Sequence, residues 1–261
     1  MTITIDSLTY VYQRRTPYQV RALDDLSLQI IPGELVGVAG PSGAGKSCLL
    51  RCLAGVLTPT CGQIRRSGRL TFGLVMQEPE RQFFLDTVLA EVGLALTNHQ
   101  GDVGPEFRRQ ITQVLERVGY QGELTASPFR LSRGQQRRVA LASILVMNPD
   151  VLLLDEPTAG MDARGLAALR TVLAEYRQKR GTVIVVSHDL DFLFGQVDRL
   201  LVLSRGRLQA DLAMQDLLNY PRLLAENAVA VPEVIQLQRR RIPEAIRTYL
   251  ESFPKRDGGN V

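Results

Sequence analysis

Short, largely apolar runs of four to seven residues alternate along the chain with stretches in which apolar positions recur every three or four residues. Residues 26–31, 35–39, 70–76, 151–154, 182–187 and 200–203 read as strands. Phe107, Ile111, Val114, Leu115 and Val118 share one helical face, as do Leu166, Leu169, Val172, Leu173 and Tyr176. Near-continuous apolar strands separated by such helices predict an α/β fold with a largely parallel sheet covered on both faces. Ser204-Arg205-Gly206-Arg207 reads as a tight turn joining two late strands. From about 86 to 147 the pattern is helical with no strong strand, which predicts a helical insertion between two sheet strands. Beyond Tyr220 the strand signal stops. Pro221, Pro232, Pro243 and Pro254 cut the remainder into short helices, and Asp257–Asn260 form a polar tail expected to be loose. The chain thus divides into a unit over 1–219 and a C-terminal helical extension over 220–261.

Composition narrows the class. Of 261 residues, 45% are apolar and 22% charged, the balance of a soluble globular protein. No apolar run has membrane-spanning length, and Met1–Asp6 alternate like a strand rather than forming a basic-then-apolar leader, so a cytoplasmic location is expected. Cys48, Cys52 and Cys61 show neither a paired framework nor metal-ligand spacing, and only two histidines are present. The net charge of +4 includes Arg137-Arg138 and Arg239-Arg240-Arg241. These clusters read as solvated helix faces, and no nucleic-acid partner is expected.

The chemistry starts at Gly40-Pro-Ser-Gly-Ala-Gly-Lys-Ser47, placed between the strand-like 34–39 and a helix start over 48–57. The pattern G-x-x-x-x-G-K-[ST] is a phosphate cradle: glycines let backbone N–H groups close on the β- and γ-phosphates, Lys46 brings a point charge, and Ser47 offers a hydroxyl to Mg²⁺. Downstream, four apolar residues end in Asp155 and Glu156. A buried strand there delivers both acids to the carboxyl edge of the sheet, beside the phosphate loop. Asp155 suits the Mg²⁺ shell and Glu156 the polarisation of an attacking water. Ser132 suits the N-cap of the helix holding 139–146, whose free N–H groups would face an anion. Gln77 and His188 each follow a predicted strand and would emerge at the same edge.

In this order, the motifs resemble the ATP-binding cassette ATPases from Met1 to about Leu218. The resemblance implies a P-loop NTPase sheet with an N-terminal antiparallel β-subdomain. It makes Gly40, Ser42, Gly43, Ala44, Gly45, Lys46, Ser47 and Cys48 the Walker A contacts to ATP, and Val151–Glu156 the Walker B strand. Gln77 becomes the Q-loop glutamine that touches Mg²⁺ together with Ser47 and Asp155, and His188 the switch histidine on the γ-phosphate. Leu131–Gln135, with Ser132, Gly134 and Gln135, resembles the family signature, and Ala159–Asp162 the D-loop. Tyr12 is similar to the aromatic that stacks on adenine, with Tyr10 the second choice. Glu156, His188 and Lys46 are the catalytic set on this reading. Two cassettes, identical or paralogous, would stack head to tail so that each signature covers the other's nucleotide.

Gln77–Phe84 and the tail 223–234 resemble the energy-coupling-factor ATPases. That likeness implies an integral-membrane scaffold, a position on the cytoplasmic face of the membrane, and uptake of a vitamin or transition-metal ion. The alternative is the ATPase of a conventional binding-protein-dependent importer. A soluble cassette protein of translation or repair usually carries two cassettes or a long coiled coil, which this chain lacks. A silent ATP sensor is disfavoured by the intact Lys46, Asp155, Glu156 and His188. Three departures stand out. Arg133 replaces a signature glycine, Cys48 replaces a hydroxyl residue, and the connection 61–77 is short enough to drop one antiparallel strand.

Overall fold

A computed structural model describes residues 2–97 and 104–227 together with Val229. The chain opens with β1 (Ile3–Tyr12) and β2 (Val20–Ile30), then β3 (Leu35–Ala39) and α1 (Lys46–Leu53), followed by β4 (Cys61–Arg66) and β5 (Phe72–Val75). The helical stretch comprises α2 (Val88–Thr97), α3 (Pro105–Arg117) and α4 (Arg133–Leu145). The chain then alternates through β6 (Val151–Asp155), α5 (Ala163–Gln178), β7 (Thr182–Val186), α6 (Leu190–Leu193), β8 (Arg199–Ser204) and β9 (Arg207–Ala213) to α7 (Pro221–Glu226).

Two sheets result. The larger has the order β5-β6-β7-β3-β8-β9 and is parallel except for β9 at one edge; the smaller is antiparallel with the order β2-β1-β4. Every residue of β3, β6 and β7 is buried, as the continuous apolar runs require of strands covered on both faces. The period of two then sends alternate side chains to opposite layers. Val36, Val38, Val151, Leu153, Ile184 and Val186 pack with α1 residues Leu49, Leu50 and Leu53 and with Ile3, Ile5 and Leu26 of the antiparallel sheet. Leu35, Leu152, Leu154, Val183 and Val185 pack on the other side with Ile111, Val139, Leu169 and Val172 of the helices. So α1 lies between two sheets, and the phosphate loop that opens it sits at their junction.

Strand bounds differ from the hydrophobic runs in one instructive place. β2 begins at Val20, six residues before its apolar stretch, because antiparallel pairing with β1 extends to Tyr12↔Val20. Hydrogen bonding to a neighbour, invisible to hydropathy, holds that exposed half in extended form. The connection 61–77 supplies one antiparallel strand, β4, before the parallel β5. Residues 204–207 do turn tightly: Arg205 and Gly206 have φ of 50° and 78°, the paired positive values of a two-residue hairpin loop. The hairpin tip also supports the site, since the Gly206 N–H donates to the Ala44 carbonyl at 3.1 Å.

Of the stretch beginning at residue 220, α7 is described, and Leu224 and Val229 are buried in the same apolar cluster as the helical layer. Residues 230–261, with Arg239–Arg241 and the polar tail, lie outside the described residues. Among the described residues, no helix is long and apolar enough to cross a membrane.

Candidate functional site

Register brings the chemistry to one edge. Val75 pairs with Leu154, Asp155 with Val186, and Val38 with Val186, so the carboxyl ends of β5, β6, β7 and β3 are level. Gln77, Glu156, His188 and the phosphate loop therefore leave the sheet side by side.

The loop needs its glycines for two distinct reasons. Gly40 and Gly45 have φ of 148° and 99°, a region that L-residues rarely enter. A Cβ on Gly40 would also lie 2.0 Å from the Leu203 carbonyl oxygen, and one on Gly45 2.3 Å from that of Ala22. Gly40→Ala is thus expected to be strained by both backbone and contact, costing upwards of about 1 kcal/mol. At about 2–4 °C per kcal/mol for a domain of this size, a melting point lowered by several degrees in differential scanning fluorimetry checks it.

Lys46, the first residue of α1, donates from Nζ to the carbonyls of Gly40 at 2.8 Å and Pro41 at 3.0 Å. Burial lowers its pKa, and the carboxylates of Glu156 and Asp155 oppose that shift. The first turn of α1 carries no acidic residue and no side-chain cap, so its N–H groups stay open to an anion.

Asp155 is only 4% exposed. Burial raises its pKa, the Ser47 hydroxyl lowers it by hydrogen bonding, and the Glu156 charge raises it again. Its Oδ1 is buried without a hydrogen-bond partner. A buried orphan carboxylate oxygen beside a hydroxyl is an all-oxygen donor set suited to a hard divalent cation.

Glu156 is held on several sides. Its backbone has φ of 50°, its N–H donates to the Val186 carbonyl at 2.9 Å, and its Oε2 lies 2.7 Å from His188 Nδ1 and accepts from the His188 N–H at 3.3 Å. The His188 side chain stays largely open to solvent above it.

The N-terminus of α4 forms a capping box. The Gln135 N–H donates to Ser132 Oγ, and the Ser132 N–H donates to Gln135 Oε1 at 3.0 Å. Ser132 and Arg133 are exposed, and a Cβ on Gly134 would stand 3.3 Å from the Gly160 carbonyl oxygen, so this helix end abuts 159–162. Asp162 caps α5, accepting from the Gly165 N–H at 2.7 Å; that bond and the Arg138 guanidinium keep its pKa low.

Tyr12 ends β1 half-buried, its ring edge-on to Tyr10 at 4.8 Å. Burial and the hydrogen-bonded Cys48 thiol raise its pKa. Cys48 is buried against Cys52, whose hydrogen bond lowers the Cys48 pKa while the Cys52 pKa rises. Cys48, Cys52 and Cys61 are all free thiols.

The structure corrects the reading of Arg137-Arg138 as a solvated face. Arg138 is 8% exposed and bonds the Gly119 carbonyl and Asp162, while Arg137 Nη1 donates to the Glu156 carbonyl at 2.9 Å. Burial of α4 on both sides supplies these partners, and no charge pattern in the chain announces them. Gln82 is equally illegible in the sequence: its amide bonds the Met76 N–H and the Leu74 carbonyl, both at 3.0 Å, closing the free edge of β5 behind Gln77.

Comparison with known proteins places this geometry. The sequence model of the family described as ABC transporter matches residues 23–159. The energy-coupling factor transporter ATP-binding protein EcfA2 of Acetivibrio thermocellus is 35% identical over 94% of this chain and 92% of its own length. Its namesake in Symbiobacterium thermophilum is 40% identical over 80% of this chain and 77% of its own. Among solved structures, the dimeric ATP-binding cassette MJ0796, bound to ADP and Pi after hydrolysis, superposes with a TM-score of 0.75 at 26% identity, covering 81% of this chain and 98% of that one. The cbiO1 protein of Clostridium perfringens, part of the ABC transporter complex cbiONQ, gives 0.69 at 28% identity, covering 91% and 98%.

Proposed function

Because this chain belongs to the ABC transporter ATPases, of the energy-coupling-factor type, we propose that it powers uptake of a vitamin or transition-metal ion from the cytoplasmic face of the membrane. The observation that carries the chemistry is the level edge on which Lys46, Asp155, Glu156 and His188 meet at the open end of α1. The triphosphate of ATP would lie along Gly40, Ser42, Gly43, Ala44, Gly45 and Ser47, with the N–H groups and the Lys46 charge on its oxygens. Cys48 follows this loop with a thiol where a hydroxyl is usual, set against Tyr12, near which the adenine would lie. Glu156 takes the proton of the attacking water as it forms a bond to the γ-phosphorus, and the β–γ bridging oxygen leaves with ADP. His188, bonded to Glu156, orients that carboxylate and reaches toward the γ-phosphate.

Ser47, Asp155 and Gln77 would hold Mg²⁺; the orphaned Asp155 Oδ1 supports this donor set. Bound there, the ion would neutralise phosphate charge. Ser132, Gly134, Gln135 and Asp162 line the exposed face that a second cassette, identical or paralogous, would bring onto its own nucleotide.

An apolar groove of about 370 Å³ opens between α2 and α4, beside the Gln77 loop, lined by Phe83, Phe84, Leu94, Ile144 and Met147. Phe84 is 75% exposed there. A helix of the membrane scaffold fits such a groove and would feel any movement of the loop. The test is affinity purification of tagged Glu156→Gln protein from gently solubilised membranes with ATP present. A scaffold plus a small integral-membrane binder is the expected company. A paired permease would instead mean a conventional importer, and no membrane protein at all would overturn the transport reading.

A further inference from the structure

Glu156 has an anchor outside the sheet. Its backbone is left-handed, with φ of 50°, a conformation that persists in a non-glycine residue only when the surroundings hold it. Two restraints come from β7 and the loop at its carboxyl end: the Val186 carbonyl and His188. The Glu156 carbonyl accepts twice, from the Ala159 N–H at 3.4 Å within its own turn and, from a different layer, from Arg137 Nη1 of α4 at 2.9 Å. The same helix begins at Ser132 with a closed capping box, so its exposed end and Arg137 belong to one stiff segment little more than a turn long. Force applied at Ser132 therefore arrives at the peptide that aims Glu156. Arg138, next along the helix, grips Asp162 and the Gly119 carbonyl and steadies α4 itself.

We propose that Arg137 is a positioning residue: it ties the exposed end of α4 to the Glu156 backbone, so that contact with the partner's nucleotide at Ser132 sets the aim of the Glu156 carboxylate in the same chain. This rests on Glu156 being the group that activates water. It assigns Arg137 no contact with nucleotide and makes its effect one on turnover rather than on binding. The bond to the carbonyl is a single N–H from Nη1, a donor that a lysine ammonium also carries.

Steady-state ATPase assays on Arg137→Met, Arg137→Lys, Glu156→Gln and the Arg137→Met/Glu156→Gln pair test the idea, with ATP-driven dimerisation of the Glu156→Gln proteins followed by size-exclusion chromatography. Arg137→Met is expected to lower kcat about 10–100-fold with KM for ATP within about threefold, since an aim lost at the transition state spares ground-state binding. Arg137→Lys should recover most of that loss. The double variant should turn over no more slowly than Glu156→Gln alone, because the two residues act as one unit. Dimerisation should be unchanged by the methionine. If the methionine variant does not fold, Arg137→Gln, too short for the carbonyl, gives the same reading. Turnover of Arg137→Met within about twofold of wild type, alongside a dead Glu156→Gln, would overturn the coupling and leave the catalytic reading intact. A multiplicative loss in the double variant would do the same. Near-normal turnover of Glu156→Gln would instead remove the catalytic reading itself.

Discussion

Glu156→Gln is expected to retain ATP binding while slowing hydrolysis by about 10²–10⁴-fold, the span usually supplied by a positioned general base. The amide matches the carboxylate in shape, so its oxygen still accepts from the His188 N–H, and the backbone bonds to Val186 and Arg137 do not involve the side chain. What disappears is the ability to take a proton from water. Binding and chemistry should separate cleanly: phosphate release falls in a coupled assay while a fluorescent ATP analogue titrates as before. Turnover close to wild type would mean that another group activates the water.

Lys46→Ala should act on the other limb. The ammonium stands at the mouth of the loop, and on the proposed reading its charge-assisted bonds to phosphate would be worth about 1.5–3 kcal/mol, or roughly 10–100-fold in Kd. The lysine also donates to the Gly40 and Pro41 carbonyls, so its loss releases the loop from the inside. Calorimetric titration with ATP should show the weaker binding, and circular dichroism should show that the sheet survives, since the side chain lies at the edge of the core rather than within it. Unchanged ATP affinity would remove Lys46 from the phosphate site.

Much of this was written in the chain. Buried parallel strands must be apolar along their whole length, so β3, β6 and β7 announce themselves, and the glycines, lysine and paired acids stand at their ends where polar groups are unusual. The helix start at Ser132 was legible for the same local reason, because a cap is settled by residues three apart. Partial burial was harder: α1 starts at Lys46 rather than Cys48 and ends at Leu53, and the exposed half of β2 is extended only because β1 pairs with it.

What the chain determined by itself is therefore the set of local elements and the chemical kind of site they can make, since period, caps and loop glycines depend on near neighbours. The tertiary structure alone decided which side chains meet. The register of β5, β6, β7 and β3 levels the strand ends, the burial of α4 turns Arg137 and Arg138 from surface charges into tethers, and Gln82 closes an edge that only the sheet order defines. Gln82 reaches 6 positions back to Met76, Arg137 19 positions on to Glu156, and Glu156 a further 32 to His188. A hydrogen bond across such distances leaves no trace in hydropathy, because its partners are chosen by packing rather than by sequence neighbours.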